Sequence, residues 1–128
     1  GVYMFIQRQH SIANQKGYVT TARGRRSWIN PHARNWENNA INSPIQGGAA
    51  DFTKRWCVLF HRACKQDGVD FPLTMIIHDE LVCDVAEKDI DKVEKLMVET
   101  FNHTAEELYP GVKFALDLKK GASWACKH

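Results

Sequence analysis

The sequence lacks the long apolar run that a membrane-spanning helix requires. No hydrophobic stretch in its 128 residues approaches the roughly 20 residues needed to cross a bilayer. The first residues also lack the basic flank, apolar core and small-residue cleavage site of a signal peptide. Internal repeats, low-complexity tracts and linkers are absent as well. We therefore expect one cytoplasmic domain with no membrane partner.

Cysteine is too sparse and scattered to indicate a metal site. The four cysteines, Cys57, Cys64, Cys83 and Cys126, show neither CxxC spacing nor zinc-type pairing with histidines. Cys57 and Cys64 lie seven positions apart within one predicted helix, which indicates packed thiols. Thiols of this kind suit a reducing cytoplasm.

Acidic residues are scarce in the first half of the chain. Residues 1–65 contain ten Lys and Arg against two acids, a balance of +8. Residues 66–128 contain seven Lys against thirteen acids, a balance of −6, which together give the net charge of +2. Such asymmetry is typical of a protein that binds a polyanion and places carboxylates near it. Chance segregation of the charges is the alternative.

The first half of the chain predicts a helix, a small hairpin and an interrupted helix. Residues 2–15 carry apolar side chains at helical spacing, and Gly17 suits the cap that ends this helix. Residues 18–21 and 25–29 predict two short strands joined at Gly24. Residues 32–42 predict a further helix. We expect Pro44 to break any continuation of it, because proline lacks an N–H and crowds the preceding turn.

The second half predicts two long helices around a hairpin. Apolar residues recur every three to four positions from residue 49 to 63, and again from residue 90 to 108 at Ile90, Val93, Met97, Phe101 and Leu108. Between these helices, two apolar runs flank the polar residues 78–80, the pattern of a hairpin with carboxylates at its tip. An ordinary solvated turn is the alternative.

Alternation of apolar and polar residues over residues 112–118 predicts a half-buried strand. The order of elements therefore predicts the α+β class, with an antiparallel sheet around the central hairpin. Two long helices back this sheet. The N-terminal helix and the small hairpin complete the expected fold.

Several motifs in this order resemble one protein family. NSPIQGGAAD at residues 42–51 precedes the long helix, and IHDELV at residues 77–82 follows it. GYVTT at residues 17–21, GRR at residues 24–26 and GASW at residues 121–124 support the match. The arrangement closely resembles the C-terminal palm region of family A DNA polymerases, the bacterial DNA polymerase I type and its phage relatives. The resemblance implies that residues 1–128 are a fingers-edge and palm portion, not a complete polymerase domain, from a bacterial or phage-infected cell.

The resemblance implies a metal-dependent nucleotidyl transfer in which the hairpin carries a catalytic carboxylate. Transfer to a primer end uses two divalent ions about 3.5–4 Å apart. Mg²⁺ suits this role and prefers carboxylate oxygens. Asp79 occupies the position of a metal-binding family aspartate, and Glu80 beside it is expected to tune the site. His78 is similar to the family histidine near the primer terminus. A hydrogen-bonded turn histidine is the alternative.

The resemblance also implies contacts with primer–template DNA. Gln46 and Asn42 match family residues that approach the minor groove, where amide donors can test pair geometry without reading sequence. The structural alternatives are that Asn42 caps a turn and Gln46 packs at a helix start. Arg25 and Arg26 are expected to contact template phosphate, with a solvated hairpin tip as the alternative. Many relatives carry an arginine where this chain has Asn38, which removes any DNA contact made through it.

The family also needs groups that these residues do not contain. They are a second catalytic aspartate, a fingers helix that holds the incoming deoxynucleoside triphosphate, and a thumb. We therefore expect the chain to be inactive without an upstream segment or partner chain that supplies them, including the second half of the two-ion Mg²⁺ site. The alternative is a non-catalytic nucleic-acid-binding or assembly module that retains the palm fold. A phosphohydrolase using Asp79 and Glu80 would lack further metal ligands.

Overall fold

The computed structural model describes residues 1–123, in which three α-helices and two antiparallel hairpins form an α+β fold. The elements are α1 (Val2–Lys16), β1 (Tyr18–Thr20), β2 (Arg26–Trp28), α2 (Trp36–Gln66), β3 (Leu73–Ile77), β4 (Glu80–Cys83), a 3₁₀ turn (Glu87–Asp89) and α3 (Ile90–Leu108). Within residues 1–123, no helix is long and apolar enough to cross a bilayer. Trp124 of the GASW motif and Cys126 lie outside the described residues.

The N-terminal helix and the first hairpin form as predicted and share a small core. Gly17 ends α1 in the left-handed conformation, with φ at 70°, and its N–H donates to the carbonyl oxygen of Ala13. Ala13 is fully buried with Val19 of β1, Ile29 and Ala40 of α2. This cluster fixes the first hairpin against α1 and the start of α2.

α2 is one continuous helix of 31 residues, so the predicted break at Pro44 is wrong. Pro44 still removes one intrahelical hydrogen bond, because it has no N–H. Both flanks of the proline are anchored, since Ala40 lies in the N-terminal core and Phe52 lies in the main core. Burial on both sides outweighs the local cost, as most helix stability in a protein comes from tertiary packing.

The main core lies between α2 and α3. Trp56 of α2 packs edge-on against Phe101 with ring centroids 5.1 Å apart, and its Nε1 donates to the carbonyl oxygen of Met97 and to Thr100 Oγ1, each at 3.2 Å. The predicted α3 stripe is confirmed, with Ile90 only half-buried and the other four residues buried. The packed state predicted for two of the cysteines is confirmed as well, because Cys64 is fully buried and Cys57 half-buried.

The central hairpin forms as predicted, but as a separate two-stranded sheet. β3 and β4 are antiparallel, with Ile77 opposite Glu80. Leu81 and Cys83 of β4 pack against the α2–α3 core, whereas Ile76 of β3 is 50% exposed. The first hairpin forms its own sheet. Within the described residues, the predicted sheet around the central hairpin therefore consists of β3 and β4 alone, and the first hairpin is separate, as predicted.

The strand predicted over residues 112–118 is wrong, because this segment has no regular secondary structure. Leu116 and Leu118 nevertheless pack against the main core, as the alternation predicts. A strand needs a neighbour for its backbone hydrogen bonds. No other strand among residues 1–123 pairs with this segment. The alternation therefore correctly indicates partial burial at Leu116 and Leu118, but Val112 and Phe114 are exposed and the segment does not pair as a strand.

Candidate metal and nucleic-acid site

The tip of the central hairpin is a two-residue loop made of His78 and Asp79. His78 has φ of 56°, a left-handed conformation that is uncommon outside glycine. It stands at the first loop position, where two-residue hairpin turns require positive φ. Glu80 is already the first residue of β4 and is half-buried, whereas Asp79 is exposed. The turn thus places one carboxylate on the loop and the next on the strand.

The alternative assigned to His78, a hydrogen-bonded turn histidine, is not observed. Its exposed imidazole makes no side-chain hydrogen bond or ion pair with any residue from 1 to 123. A strained backbone position therefore presents an unengaged imidazole beside Asp79. Strained residues of this kind occur where the surrounding structure holds them in place, often at functional sites.

An open groove of about 2470 Å³ lies beside the hairpin. Asp79 and Glu80 line it together with Arg8 of α1, Phe52 of α2 and Met97 of α3. Residues 114–123 form a further part of the wall. Pockets for small ligands are usually about 300–1,000 Å³, so this space suits a macromolecular segment better.

Asp79 and Glu80 can supply part of a magnesium site. A protein-bound Mg²⁺ commonly takes one or two carboxylates and completes its octahedron with water and substrate phosphates. Among residues 1–123, no group of three or more His, Cys, Asp or Glu side chains could hold a metal ion. The hairpin carboxylates therefore fit only part of the ligand set of a Mg²⁺ ion, and further donors would have to come from outside residues 1–123.

Three exposed, uncharged amide side chains form a stripe along one face of α2. Asn38, Asn42 and Gln46 are spaced by four residues, which places them on one face of the helix. Both structural alternatives are wrong, because Asn42 lies inside a helix that begins at Trp36 and Gln46 is exposed in its middle. In the described part of the chain, neither amide finds a hydrogen-bond partner. Neither residue lines the groove, but Ile45 beside Gln46 does.

The two arginines of the first hairpin have different surroundings. Arg25 is held on α2: its Nε donates to Asp51 Oδ1 and its Nη2 to the carbonyl oxygen of Gly47, both at 2.8 Å. Arg26 lies over the ring of Tyr18, with its guanidinium carbon 4.8 Å from the ring centroid. Arg25 is thus an anchor within the fold and not a freely solvated tip residue, whereas Arg26 keeps an exposed side.

Asp51 is the centre of this anchor. Its second oxygen, Oδ2, accepts a hydrogen bond from Thr21 Oγ1 at 2.8 Å. Partial burial raises the pKa of Asp51, but the hydrogen bonds from Thr21 and Arg25 and the charges of Arg25 and Lys54 lower it by more. The net pKa lies below the ordinary value for aspartate, so the ion pair persists at neutral pH.

Sequence reasoning placed Asp51 in a motif but gave it no role. The available signal was its rarity as one of two acids in the basic half of the chain. Sequence reasoning also did not explain why residues 47 and 48 are both glycine. A Cβ at Gly47 would lie 2.7 Å from Thr21 Cγ2, and a Cβ at Gly48 would lie 2.7 Å from Tyr109 Oη. Both glycines are needed for close packing on α2.

Comparison with known proteins identifies the family to which this architecture belongs. The sequence profile described as DNA polymerase family A matches residues 1–126, so the chain belongs to this family. The chain is 34% identical over 131 residues to DNA polymerase I of Bacillus subtilis, an alignment that covers 97% of this chain and 14% of that protein. It is 35% identical over 100 residues to DNA polymerase I of Pseudomonas aeruginosa, covering 73% of this chain and 11% of that protein.

A solved structure supports the same assignment. The POL domain of Pol1 from M. smegmatis, in complex with DNA primer-template and dNTP, matches with a TM-score of 0.73 and 29% identity. The match covers 80% of this chain and 19% of the solved chain. The present chain therefore spans less than one fifth of the polymerases to which it is similar.

Proposed function

We propose that the chain is the C-terminal palm part of a DNA-directed DNA polymerase and contributes Asp79 to template-directed nucleotidyl transfer. The observation that carries this proposal is the placement of an exposed aspartate on a two-residue hairpin loop beside a groove of about 2470 Å³. The family membership supplies the reaction class. The mycobacterial relative, bound to primer–template DNA and dNTP, suggests the same partners for this chain.

In this proposal Asp79 would hold Mg²⁺, and Glu80 would adjust the charge and orientation of the site from the first position of β4. Bound Mg²⁺ would promote attack by the primer 3′ oxygen and neutralise charge on the triphosphate. His78 would contact the primer terminus, because its imidazole has no partner in residues 1–123 and stands next to Asp79.

The amides of Asn42 and Gln46 would contact the minor-groove edge of the newly formed base pair and its neighbours. Their exposed positions one helical turn apart leave both side chains able to donate to base acceptors. Arg26 would contact template phosphate from the first hairpin. Arg25 would position that hairpin through Asp51 and could share the phosphate contact from its 45% exposed side chain.

We further propose that an upstream segment or partner chain supplies the second aspartate, the rest of the palm, the fingers and the thumb. Two observations support this dependence. Within residues 1–123, Leu81–Cys83 of β4 pair with β3 alone and line the groove, and residues 114–118 line the same groove with an alternating pattern and pair with no described strand. A strand inserted between them could pair with both. On this proposal, the isolated chain does not extend primers.

The test is primer extension with Mg²⁺ by the chain alone and with the polypeptide that precedes it in a family A polymerase. With that polypeptide present, Asp79→Ala should abolish extension and change DNA affinity by less than about twofold. Glu99→Ala removes an exposed carboxylate of α3 that does not line the groove and whose cation Lys95 is 3.8 Å away, and it should leave extension unchanged. Normal extension by the Asp79 variant, or any extension by the isolated chain, would contradict the proposal.

The amide stripe has a matched control on the same helix. Gln46→Ala should lower the extension rate and fidelity without lowering the free energy of unfolding, because Gln46 is exposed and its side chain contacts no hydrogen-bond partner within residues 1–123. Gln66→Ala alters an exposed glutamine at the end of α2 and should leave the extension rate, the fidelity and the free energy of unfolding unchanged. Equal kinetics in the two variants would remove Gln46 from the proposed interface.

A second candidate function is a non-catalytic nucleic-acid-binding or assembly module. The lack of any three-donor metal cluster among residues 1–123 favours it. It predicts salt-dependent binding to primer–template DNA but no extension when the upstream polypeptide is added. Extension that requires both polypeptides would eliminate this candidate.

A further inference from the structure

A second, smaller cleft of about 250 Å³ opens where the turn of the first hairpin meets α2 and the end of α3. It is lined by Arg23, Asp51, Lys54, Arg55 and Leu108, and it shares no lining residue with the large groove. The cleft is therefore a surface distinct from the one that carries Asp79.

The carboxylate that lines this cleft, Asp51, and the carboxylate next to its lining residue Arg55, Glu107, are already paired. Asp51 is bound by Arg25 at 2.8 Å, and Glu107, which follows Glu106 near the end of α3, is bound by Arg55 with Nη2 and Oε2 2.8 Å apart. The hydrogen bond from Arg55, aided by the charges of Arg55, Arg23 and His103, holds the pKa of Glu107 below its usual value. Both carboxylates are therefore ionised at neutral pH, and the negative charge of each is balanced by its arginine partner.

Arg23 and Lys54 lower the pKa of Glu107 and Asp51 respectively through their charges, but these carboxylates form their ion pairs with Arg55 and Arg25. Arg23 and Lys54 are both exposed, and neither makes an ion pair or side-chain hydrogen bond with a residue between 1 and 123. The local charge is +2, because four cations (Arg23, Arg25, Lys54 and Arg55) face two carboxylates (Asp51 and Glu107). The C-terminal end of α3 contributes only about −0.5 of an elementary charge. The cleft therefore keeps an excess of positive charge.

We propose that Arg23 and Lys54 bind a phosphate group of the DNA backbone in this cleft. Arginine presents a planar fork of donors to phosphate oxygens, and lysine adds a compact point charge. Arg26 continues the basic surface from the same hairpin. The assignment of the phosphate to DNA rests on the proposed function, whereas the cleft and its charge do not.

The experiment compares two variants with the same change in charge. Arg23→Gln/Lys54→Gln removes two positive charges from the cleft. Arg62→Gln/Lys65→Gln removes two positive charges from exposed positions farther along α2. Affinity for primer–template DNA is measured by fluorescence anisotropy at several salt concentrations, with and without the upstream polypeptide. The cleft variant should bind about tenfold more weakly at 0.1 M salt, and its salt slope should fall by about 1, the value for one lost phosphate contact. The control should change by less than about twofold.

Each other outcome overturns the inference in a distinguishable way. Equal losses in the two variants would mean diffuse electrostatic attraction and no site. Unchanged DNA binding by the cleft variant, together with saturable binding of inorganic phosphate by the unaltered chain, would mean that the cleft takes a free anion. If the unaltered chain and its upstream polypeptide bind no DNA, the proposed function fails as well. The measurement is of binding, so the activity of the Asp79 variant does not affect it.

Discussion

Arg25 donates from Nε to Oδ1 of Asp51 at 2.8 Å, across 26 residues of sequence. The contact joins the turn after β1 to the middle of α2. Thr21 holds the other oxygen of the same carboxylate, so Asp51 binds both sides of the turn. The first hairpin therefore owes its position on α2 to a buried apolar cluster at one end and a charged contact at the other.

Asp51→Asn should lower the free energy of unfolding by about 1–2 kcal/mol at pH 7, because it removes one charge-assisted hydrogen bond and weakens another. Glu99→Gln, in an exposed pair with Lys95 at 3.8 Å, should lower it by less than about 0.5 kcal/mol. Urea unfolding of the two variants gives the comparison. Equal effects would show that the Arg25–Asp51 contact has no special stabilising role.

The same contact should depend on pH. The folded-state pKa of Asp51 is depressed, so its stabilising contribution is present above the unfolded-state value of about 3.9 and is lost as pH falls through the folded-state pKa. The difference between the unaltered chain and Asp51→Asn should therefore shrink towards pH 2. A difference that stays constant from pH 7 to pH 2 would contradict an ionised Asp51 as its source.

Gly48 and Tyr109 should show strong energetic coupling. A Cβ at Gly48 would lie 2.7 Å from Tyr109 Oη and 3.9 Å from the next ring carbon. Gly48→Ala should therefore destabilise the protein by about 1 kcal/mol, since overpacking outweighs the gain in helix propensity. In a Tyr109→Phe background the clash is gone, and the same change should stabilise by about 1 kcal/mol. A double-mutant cycle measured by urea unfolding gives the coupling, and additivity would contradict the contact.

Pro44→Ala should stabilise the protein by about 1–3 kcal/mol, because the new N–H can donate within α2 and alanine favours the helix. Pro110→Ala, at an exposed position after α3, serves as the control and should have little effect. Thermal unfolding of both variants checks the prediction. A less stable Pro44 variant would mean that contacts of the ring outweigh the lost backbone hydrogen bond.

Cys83 should be a poor nucleophile in the folded protein. Burial, followed by the neighbouring Cys64 and Cys57, raises the pKa of its thiol from 9.0 to about 11. At pH 8 the thiolate is then about 100-fold scarcer than at the ordinary pKa. Alkylation by iodoacetamide, followed by mass spectrometry against pH, should inflect near pH 11 in the folded chain and near pH 9 in urea. A folded-state inflection at or below pH 9 would refute this.

Local periodicity was sufficient for most of the helices and for both hairpins. The α3 stripe and the hairpin around His78 follow from spacing alone, because an amphipathic helix or strand must turn its apolar side to a core. The motifs were sufficient to indicate the family. They could not show that Glu80 is a strand residue and Asp79 a loop residue, since that depends on the register between β3 and β4.

Tertiary structure decided the features that depend on distant partners. Pro44 signals a helix break locally, but anchored flanks keep α2 continuous. Residues 112–118 have the alternation of a strand but lack a neighbouring strand in the described chain. The contact of Arg25 with template phosphate stays a prediction. The tertiary structure adds an ion pair between Arg25 and Asp51 that the sequence did not indicate. The sequence by itself determined which side chains are apolar, polar or charged, whereas three-dimensional packing decided which of them meet, because backbone pairing and ion pairs need a partner within a few ångströms.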